Sequence, residues 1–240
     1  MLFEIVRTVY AITGNIRLIP GLLLVGALTP PVASLALLFS RSLRPAIGVL
    51  TLAAVAAIGG VLGISVAALL EYNTAVGLGR LPPIAVAVIE ETTKLVVPAV
   101  LLLLTRPRRP IDGLAAGICS GAGFAVLETL GFGAQQLLKT HERLTVVDAT
   151  LLERGLFAPA THIAWTGMAA AGLWLAAGRH DWRGWGIFVG LFALAIGLHA
   201  TWDQLASLPA DLALSATSLA ALALIGKHLV PPSAAVPPRT

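Results

Sequence analysis

Long apolar stretches separated by short polar joins dominate this sequence. A stretch of about 18 or more apolar residues can cross a hydrocarbon core of roughly 30 Å as an α-helix. The pattern therefore predicts an all-α fold, a polytopic transmembrane helix bundle of about seven spans. The predicted spans cover residues 18–40, 46–70, 81–104, 111–138, 156–178, 185–206 and 208–226.

The two ends of the chain differ from this predicted helical domain of residues 18–226. Residues 1–17 form a more polar N-terminal segment, and the proline-rich residues 227–240 are predicted to be a disordered tail. In the first span, Pro20 and the pair Pro30–Pro31 interrupt helical hydrogen bonding. We therefore expect that span to be kinked or partly re-entrant.

The composition agrees with a membrane location. Hydrophobic residues make up 57% of the chain and charged residues 12%, and the mean hydropathy is +0.89. A soluble globular surface cannot be built from such a composition. The alternation typical of a membrane β-barrel is absent from the sequence. We expect a multi-pass protein of a bacterial-type cell membrane, surrounded by the lipid bilayer and without a nucleic-acid partner.

Basic residues in the joins indicate an orientation. Cytoplasmic loops of membrane proteins carry an excess of Lys and Arg. The side richer in such residues is therefore predicted to be cytoplasmic, which places the C-terminus in the cytoplasm and the N-terminus outside. The basic residues on that side are Arg41, Arg44, Arg106, Arg108, Arg109, Arg179, Arg183 and Lys227, whereas Arg7 and Arg17 oppose the assignment.

Ionisable residues interrupt four of the apolar stretches. Charged and imidazole side chains are costly at membrane depth and usually mark a functional site. At a rise of about 1.5 Å per residue, all four interruptions fall at a similar depth in the outer half of the membrane. One shared cavity that opens outward is therefore predicted. The residues are Glu90, Glu91 and Lys94 in the third span, Glu128 in the fourth, His162 in the fifth, and His199 and Asp203 in the sixth.

The spacing within the third span suggests chemistry. Lys94 follows Glu90 by four residues and Glu91 by three, so its ammonium can reach either carboxylate. Because successive residues are about 100° apart around a helix, one glutamate is expected to face the cavity while Lys94 holds the other. A desolvated carboxylate is a plausible general base for water, and a nearby imidazole could donate to an oxyanion.

Three classes of function stay open on these residues alone. The leading class is a metal-independent glutamic endopeptidase, a hydrolase of peptide bonds with no cofactor. A metalloprotease is second, because Glu90, Glu128, His162 and His199 together could ligate a divalent metal such as zinc. A proton-coupled transporter is third, since carboxylates and histidines also form proton relays, although the sequence contains no detectable inverted repeat. A purely structural pairing of the glutamates with Lys94 is the plain alternative.

Glycines at four-residue spacing predict close contacts between helices. Gly59 and Gly63 form one such pair, and Gly113, Gly117 and Gly121 form a longer row. Small residues with this spacing allow two helix backbones to approach each other. We therefore interpret these glycines as packing positions.

The order of the motifs resembles the PrsW family of intramembrane proteases. The resemblance covers about residues 80–205 and includes Glu90-Glu91-x-x-Lys94, Phe124-x-x-x-Glu128, a histidine at His162, and His199-x-x-x-Asp203. It includes Asp112-Gly113 and the glycines before Phe124 as well. More distantly, the architecture is similar to the CAAX-prenyl-protease and bacteriocin-immunity glutamic proteases.

The resemblance implies a role for each of these residues. Glu90 would activate water, with Glu91 and Lys94 supporting it. His199 and Asp203 would form the oxyanion-side pair, Glu128 would stand where the distant relatives place a histidine, and His162 would orient substrate or water. Phe124 would support the site, and Trp202, next to Asp203, could line it, although an interfacial aromatic belt explains this tryptophan equally well. One departure is Thr129, where PrsW-like proteins often have asparagine.

The same resemblance implies a substrate. Family members cleave single-span membrane proteins, such as anti-sigma factors, on the extracytoplasmic side. That first cut, a site-1 proteolysis, releases a transcription factor after further proteolysis. We therefore expect a single-span membrane protein as the partner of this chain.

Overall fold

The computed structural model describes residues 1–41, 43–106, 108–140, 144–205 and 207–229. Within them the chain is helical and has no β-strand. Two short 3-10 helices, Ile16–Leu18 and Ala158–Ala160, connect longer elements. The α-helices of the described residues are α1 (Leu2–Thr13), α2 (Ile19–Arg41), α3 (Val49–Leu78), α4 (Pro83–Leu104), α5 (Pro110–Lys139), α6 (Leu144–Phe157), α7 (His162–Arg179), α8 (Trp182–Leu205) and α9 (Leu208–Leu229). The predicted all-α bundle is confirmed.

Five of these helices are long and apolar enough to cross a membrane. They are α2, extended at its N-terminal end to Ile16, together with α3, α5, α8 and α9. Helix α4 is less apolar because it carries Glu90, Glu91 and Lys94, and α7 is rich in alanine and glycine. The count of seven spans and the cytoplasmic C-terminus therefore stay predictions.

Helices α5 and α7 lie at the centre of the bundle. The glycine row of α5 faces α7: a side chain at Gly117 would collide with the Thr166 carbonyl, and one at Gly121 with the His162 carbonyl. On another side of α5, a side chain at Gly59 of α3 would meet Ser120. The packing role predicted for these glycines is confirmed. Their small size lets α5 approach both neighbours closely and places the start of α7 beside the middle of α5.

The N-terminal half of the chain is more regular than predicted. Helix α2 runs continuously from Ile19 to Arg41 and contains both Pro30 and Pro31, so the re-entrant alternative for the first span is wrong. Pro20 is tolerated because it lies in the first turn, where its missing N–H has no intrahelical partner. Helix α1 lies within the segment 1–17, for which no helix was predicted.

Helix α6 fills a join between two predicted spans. It is too short to cross a membrane, and it packs its apolar residues Val147 and Leu151 against α1 and α2. Arg7 of α1 also contacts Asp148, with 3.4 Å between the guanidinium and the carboxylate. The predicted fifth span at 156–178 began too early, because residues 156 and 157 end α6 and α7 starts only at His162.

The C-terminal end of α9 changes one boundary. The helix continues to Leu229, so residues 227–229, which we had assigned to the disordered tail, are helical. The rest of that predicted tail, residues 230–240, lies outside the described residues.

Candidate active site

Lys94 lies at the centre of a buried polar cluster. Its side chain has no exposed surface, and its ammonium donates three hydrogen bonds. The acceptors are Glu90 Oε2 at 3.0 Å, Glu91 Oε1 at 2.9 Å and His162 Nδ1 at 2.8 Å. Since an ammonium has three N–H groups, its hydrogen-bonding capacity is filled. Two carboxylates share one buried cation, and a second helix joins the cluster through His162.

Helix geometry explains why Lys94 contacts both glutamates. Around the helix, Lys94 is about 40° from Glu90 and about 60° from Glu91, so it lies between them. The prediction that Lys94 would hold only one glutamate is therefore wrong. The two carboxylates still differ in exposure: Glu91 has none, whereas Glu90 retains 7%. Glu90 is the glutamate closer to solvent.

A proline fixes the backbone of α4 below Lys94. Pro98 lies four residues after Lys94 and has no N–H, so it cannot bond to the Lys94 carbonyl. The buried hydroxyl of Ser120 on α5 donates to that carbonyl instead, at 2.7 Å. This bond ties α4 to α5 at the residue that organises the cluster.

His199 brings α8 into the same cluster. Its Nδ1 is 2.9 Å from Glu91 Oε1, and because the carboxylate accepts, this nitrogen carries the proton. Its other nitrogen, Nε2, faces Glu90 Oε2 at 3.7 Å and Asp203 Oδ2 at 3.5 Å. Glu91 therefore orients the imidazole, and Nε2 points toward the more open carboxylates.

Glu128 joins the cluster from the opposite side. Its Oε2 is 2.8 Å from His162 Nε2 and also contacts the guanidinium of Arg154 on α6. Because Lys94 donates to Nδ1 of His162, the ring proton lies on Nε2, the nitrogen beside Glu128. His162 thus links the Lys94 ammonium to Glu128.

Aromatic rings enclose the histidines. The Trp165 ring stacks on His199 with centroids 5.0 Å apart, and Trp165 Nε1 donates to Ser218 at 2.8 Å. The Phe124 ring lies 4.2 Å from the Lys94 ammonium, a cation–π contact. Trp202 packs edge-on against Trp165 at 6.5 Å between centroids. These rings exclude water and fix the orientation of the imidazoles.

A cavity of about 350 Å³ adjoins the cluster. Its walls come from α5, α6, the 3-10 helix before α7, and the facing ends of α8 and α9. The lining residues are Thr129, Glu153, Arg154, Phe157, Ala158, Thr161, His162, Trp202, Asp203, Ser207, Leu208 and Asp211. His162 and Asp203 therefore touch both the cavity and the buried cluster, so a molecule in the cavity lies next to the candidate chemistry.

The structure brings together every residue predicted for the site. Glu90, Glu91, Lys94, His162 and His199 form its buried centre, and Glu128 and Asp203 flank it. Phe124 and Trp202 lie in its aromatic wall, and Thr129 is buried beside the cavity. The predicted meeting of four interruptions at one place is confirmed, whereas the individual catalytic roles stay predictions.

Three residues near the site were not predicted. Arg154 contacts Glu128 and lies in the segment between the fourth and fifth predicted spans, for which no helix was predicted. Ser218 of α9 accepts a hydrogen bond from the Trp165 indole N–H. Glu71 of α3 has a buried carboxylate oxygen without a hydrogen-bond partner in the described residues, and Glu90 and Glu128 are among its charged neighbours. The sequence did contain a signal for Glu71, because this carboxylate directly follows the apolar second predicted span, residues 46–70.

The four residues considered as metal ligands do not form a metal site in this arrangement. His162 Nδ1 accepts from Lys94, and Nε2 carries the ring proton beside Glu128, so neither nitrogen has a free lone pair for a metal ion. The Lys94 ammonium occupies the position between Glu90, Glu91 and His162 where a cation would lie. Among the described residues, no group of three or more His, Cys, Asp and Glu side chains is arranged to hold a metal ion.

A comparison with known families identifies the family of the chain. A family model described as PrsW family intramembrane metalloprotease matches residues 42–226, which include every predicted site residue. No curated protein and no solved structure gives a significant match. The family match extends beyond the motif region, from before α3 to near the end of α9. The chain therefore belongs to the PrsW family of intramembrane proteases and is a multi-pass membrane peptidase.

Proposed function

We propose that this protein hydrolyses a peptide bond of a single-span membrane protein with water activated by Glu90. The observation that carries the proposal is the buried cluster around Lys94, in which one ammonium holds two carboxylates and a histidine beside an open cavity. Buried charges of this kind are expensive and are usually kept for function.

Glu90 is the best candidate for the base. Its carboxylate keeps some exposure, and its Oε2 lies 3.7 Å from His199 Nε2, so one water molecule beside this pair could contact both groups. Glu91 is enclosed and already accepts from Lys94 and His199, which suits an anchoring role. Glu90 would take the water proton as the oxygen attacks the scissile carbonyl.

The histidines suit the remaining steps. Cleavage needs a donor to the oxygen of the tetrahedral intermediate and a proton for the leaving amine. His199 Nε2 lies between Glu90 and Asp203, where a proton taken from water could pass to the amine. His162 already carries a proton on Nε2 next to the cavity and could donate toward the oxyanion if it released Glu128.

A metal-dependent mechanism is the second candidate. The family description names metalloproteases, and this favours a metal in the reaction. In the described residues the Lys94 ammonium fills the position between Glu90, Glu91 and His162, so these side chains leave no place for a metal ion. In the favoured mechanism the Lys94 ammonium supplies the positive charge beside the base.

The expected substrate is an anti-sigma factor or a similar single-span protein, cut near the extracytoplasmic face. The direct test reconstitutes the purified protein in liposomes with a panel of epitope-tagged single-span proteins. The proposal predicts discrete cleavage of at least one substrate in the presence of a chelator. Activity that is lost in chelator and restored by zinc would favour the metal-dependent candidate, and intact substrates throughout would contradict the protease function.

For variants that replace a carboxylate of the site by an amide, such as Glu90→Gln, the matched control is Asp181→Asn. Asp181 lies between α7 and α8, contacts Arg179, and accepts from the Gly184 backbone N–H at 2.7 Å. An asparagine oxygen can keep the backbone contact, so cleavage should remain at the wild-type level.

A further inference from the structure

Acidic side chains outnumber basic ones around the cavity beside the cluster. Three carboxylates line it: Glu153 from α6, Asp203 from α8 and Asp211 from α9. Arg154 is the cation among the lining residues, but its guanidinium contacts Glu128 and lies 4.0 Å from the Phe132 ring. The lining residues therefore leave an acidic cavity next to His162.

Asp211 is the residue that points to a ligand. It is 7% exposed and lines the cavity. Within the described residues, no hydrogen bond or ion pair involves its carboxylate. Asp211 is not among the residues with fully enclosed, unpartnered oxygens, so its remaining access is to the cavity, where a bound cationic group would supply the interaction that its carboxylate lacks.

We infer that this cavity is the pocket for a basic substrate side chain, lysine or arginine, near the scissile bond. This inference rests on the proposed protease function. The cavity touches His162 and Asp203, so a side chain inside it would belong to a residue close to the bond being cut. Asp211 would then contact the cationic group of the substrate.

The charge of the cavity selects this class of side chain. Its volume of about 350 Å³ leaves room for a long side chain together with water. An acidic side chain would be repelled by the three carboxylates, and an apolar one would offer no partner to Asp211, the most buried of them. A lysine or arginine head group satisfies them, and the aromatic rings of Phe157 and Trp202 can cover its aliphatic stem.

A structural role for Asp211 makes a different prediction. Asp211 lies in the first turn of α9, where a carboxylate interacts favourably with the helix dipole. If that were its whole role, replacing it would change the stability of α9 and leave the choice of substrate side chain unchanged. Selectivity therefore separates the two interpretations.

The test uses sets of synthetic single-span peptides. Within a set the peptides differ at one position, which carries Lys, Gln, Leu or Glu, and each set places that position at a different residue on the extracytoplasmic side of the peptide's span. We expect one position at which the wild-type protein prefers Lys over Gln by about tenfold or more in kcat/KM, as a charge-assisted hydrogen bond would give. Asp211→Asn should reduce this ratio severalfold, Asp211→Glu should retain much of it, and Asp181→Asn should not change it. Equal cleavage of the Lys and Gln peptides at every position would overturn the inference.

A binding measurement separates this inference from the protease proposal. If no peptide is cleaved, the proposed function fails, and the affinity of the detergent-solubilised wild-type protein for fluorescent Lys and Gln peptides is then measured. Tighter binding of the Lys peptide that is lost in Asp211→Asn would support the basic pocket independently. Equal affinity for the two peptides would overturn it.

Discussion

The ammonium of Lys94 lies 2.8 Å from Nδ1 of His162, on a different helix. Because an ammonium can only donate, this contact fixes Nδ1 as the acceptor and places the ring proton on Nε2, toward Glu128. The charged residues of α4 thereby determine which nitrogen of His162 can donate at the cavity.

Nuclear magnetic resonance of the histidine nitrogens checks this tautomer. In protein labelled with ¹⁵N histidine, we predict that neutral His162 carries its proton on Nε2. In Lys94→Met the preference should weaken, because the donor to Nδ1 is gone. A wild-type His162 protonated on Nδ1 would contradict the hydrogen-bond pattern, and His180, in the join after α7, provides a reference signal from the same spectrum.

Removing the Lys94 charge should strongly destabilise the fold. Lys94→Met leaves Glu90 and Glu91 buried without their shared cation, which typically costs about 3–5 kcal/mol. Adding Glu91→Gln removes one of the uncompensated charges and should recover part of that loss. Unfolding in mixed detergent micelles measures both, and Lys139→Met at the exposed end of α5 is the control, with little expected change.

A second stability prediction concerns Pro98 and Ser120. Ser120→Ala leaves the Lys94 carbonyl buried without a donor, at a cost of about 1–3 kcal/mol. In a Pro98→Ala background, the introduced alanine can supply the helical N–H to that carbonyl, so the same serine substitution should cost less. The coupling between the two substitutions is read from a double-mutant cycle. Additive effects would show that the proline does not create the need for Ser120.

The close approach of α3 and α5 can be tested with two glycines of α5. A side chain at Gly123 would collide with the Ala56 carbonyl, so Gly123→Ala should destabilise the protein by about 1–3 kcal/mol. Gly131 has open space around it, and Gly131→Ala should be neutral or stabilising by up to about 1 kcal/mol. Equal midpoints in thermal unfolding of the two variants would contradict the packing.

Much of the helical core could be predicted from the sequence because bilayer thickness dictates long apolar stretches. Helices α3, α4, α5, α8 and α9 match predicted spans within a few residues at most ends, although α3 continues eight residues further, to Leu78. Helices α1 and α6 were missed because short helices with mixed polarity give no such signal. The start of α7 was misplaced because the apolar pattern passes through the Ala158–Ala160 turn without interruption.

The candidate site was predictable for a related reason. Charged residues within apolar helices have few acceptable partners, so Glu90, His162 and His199 were expected to meet, and they do. The pairing of Arg154 with Glu128 was not predictable, because it depends on α6 folding back over α5. The sharing of Lys94 between both glutamates required the actual side-chain positions, although its angular position between them is implicit in the helix.

The role of Glu90 as the water-activating base is tested most directly by single-turnover cleavage with Glu90→Gln in liposomes containing chelator. The amide keeps a similar size and can still contact its neighbours, so the thermal midpoint should confirm that the variant is folded. We predict that the cleavage rate falls by about 10²–10⁴-fold, as expected when a general base is lost. Cleavage by folded Glu90→Gln at the wild-type rate would contradict the account.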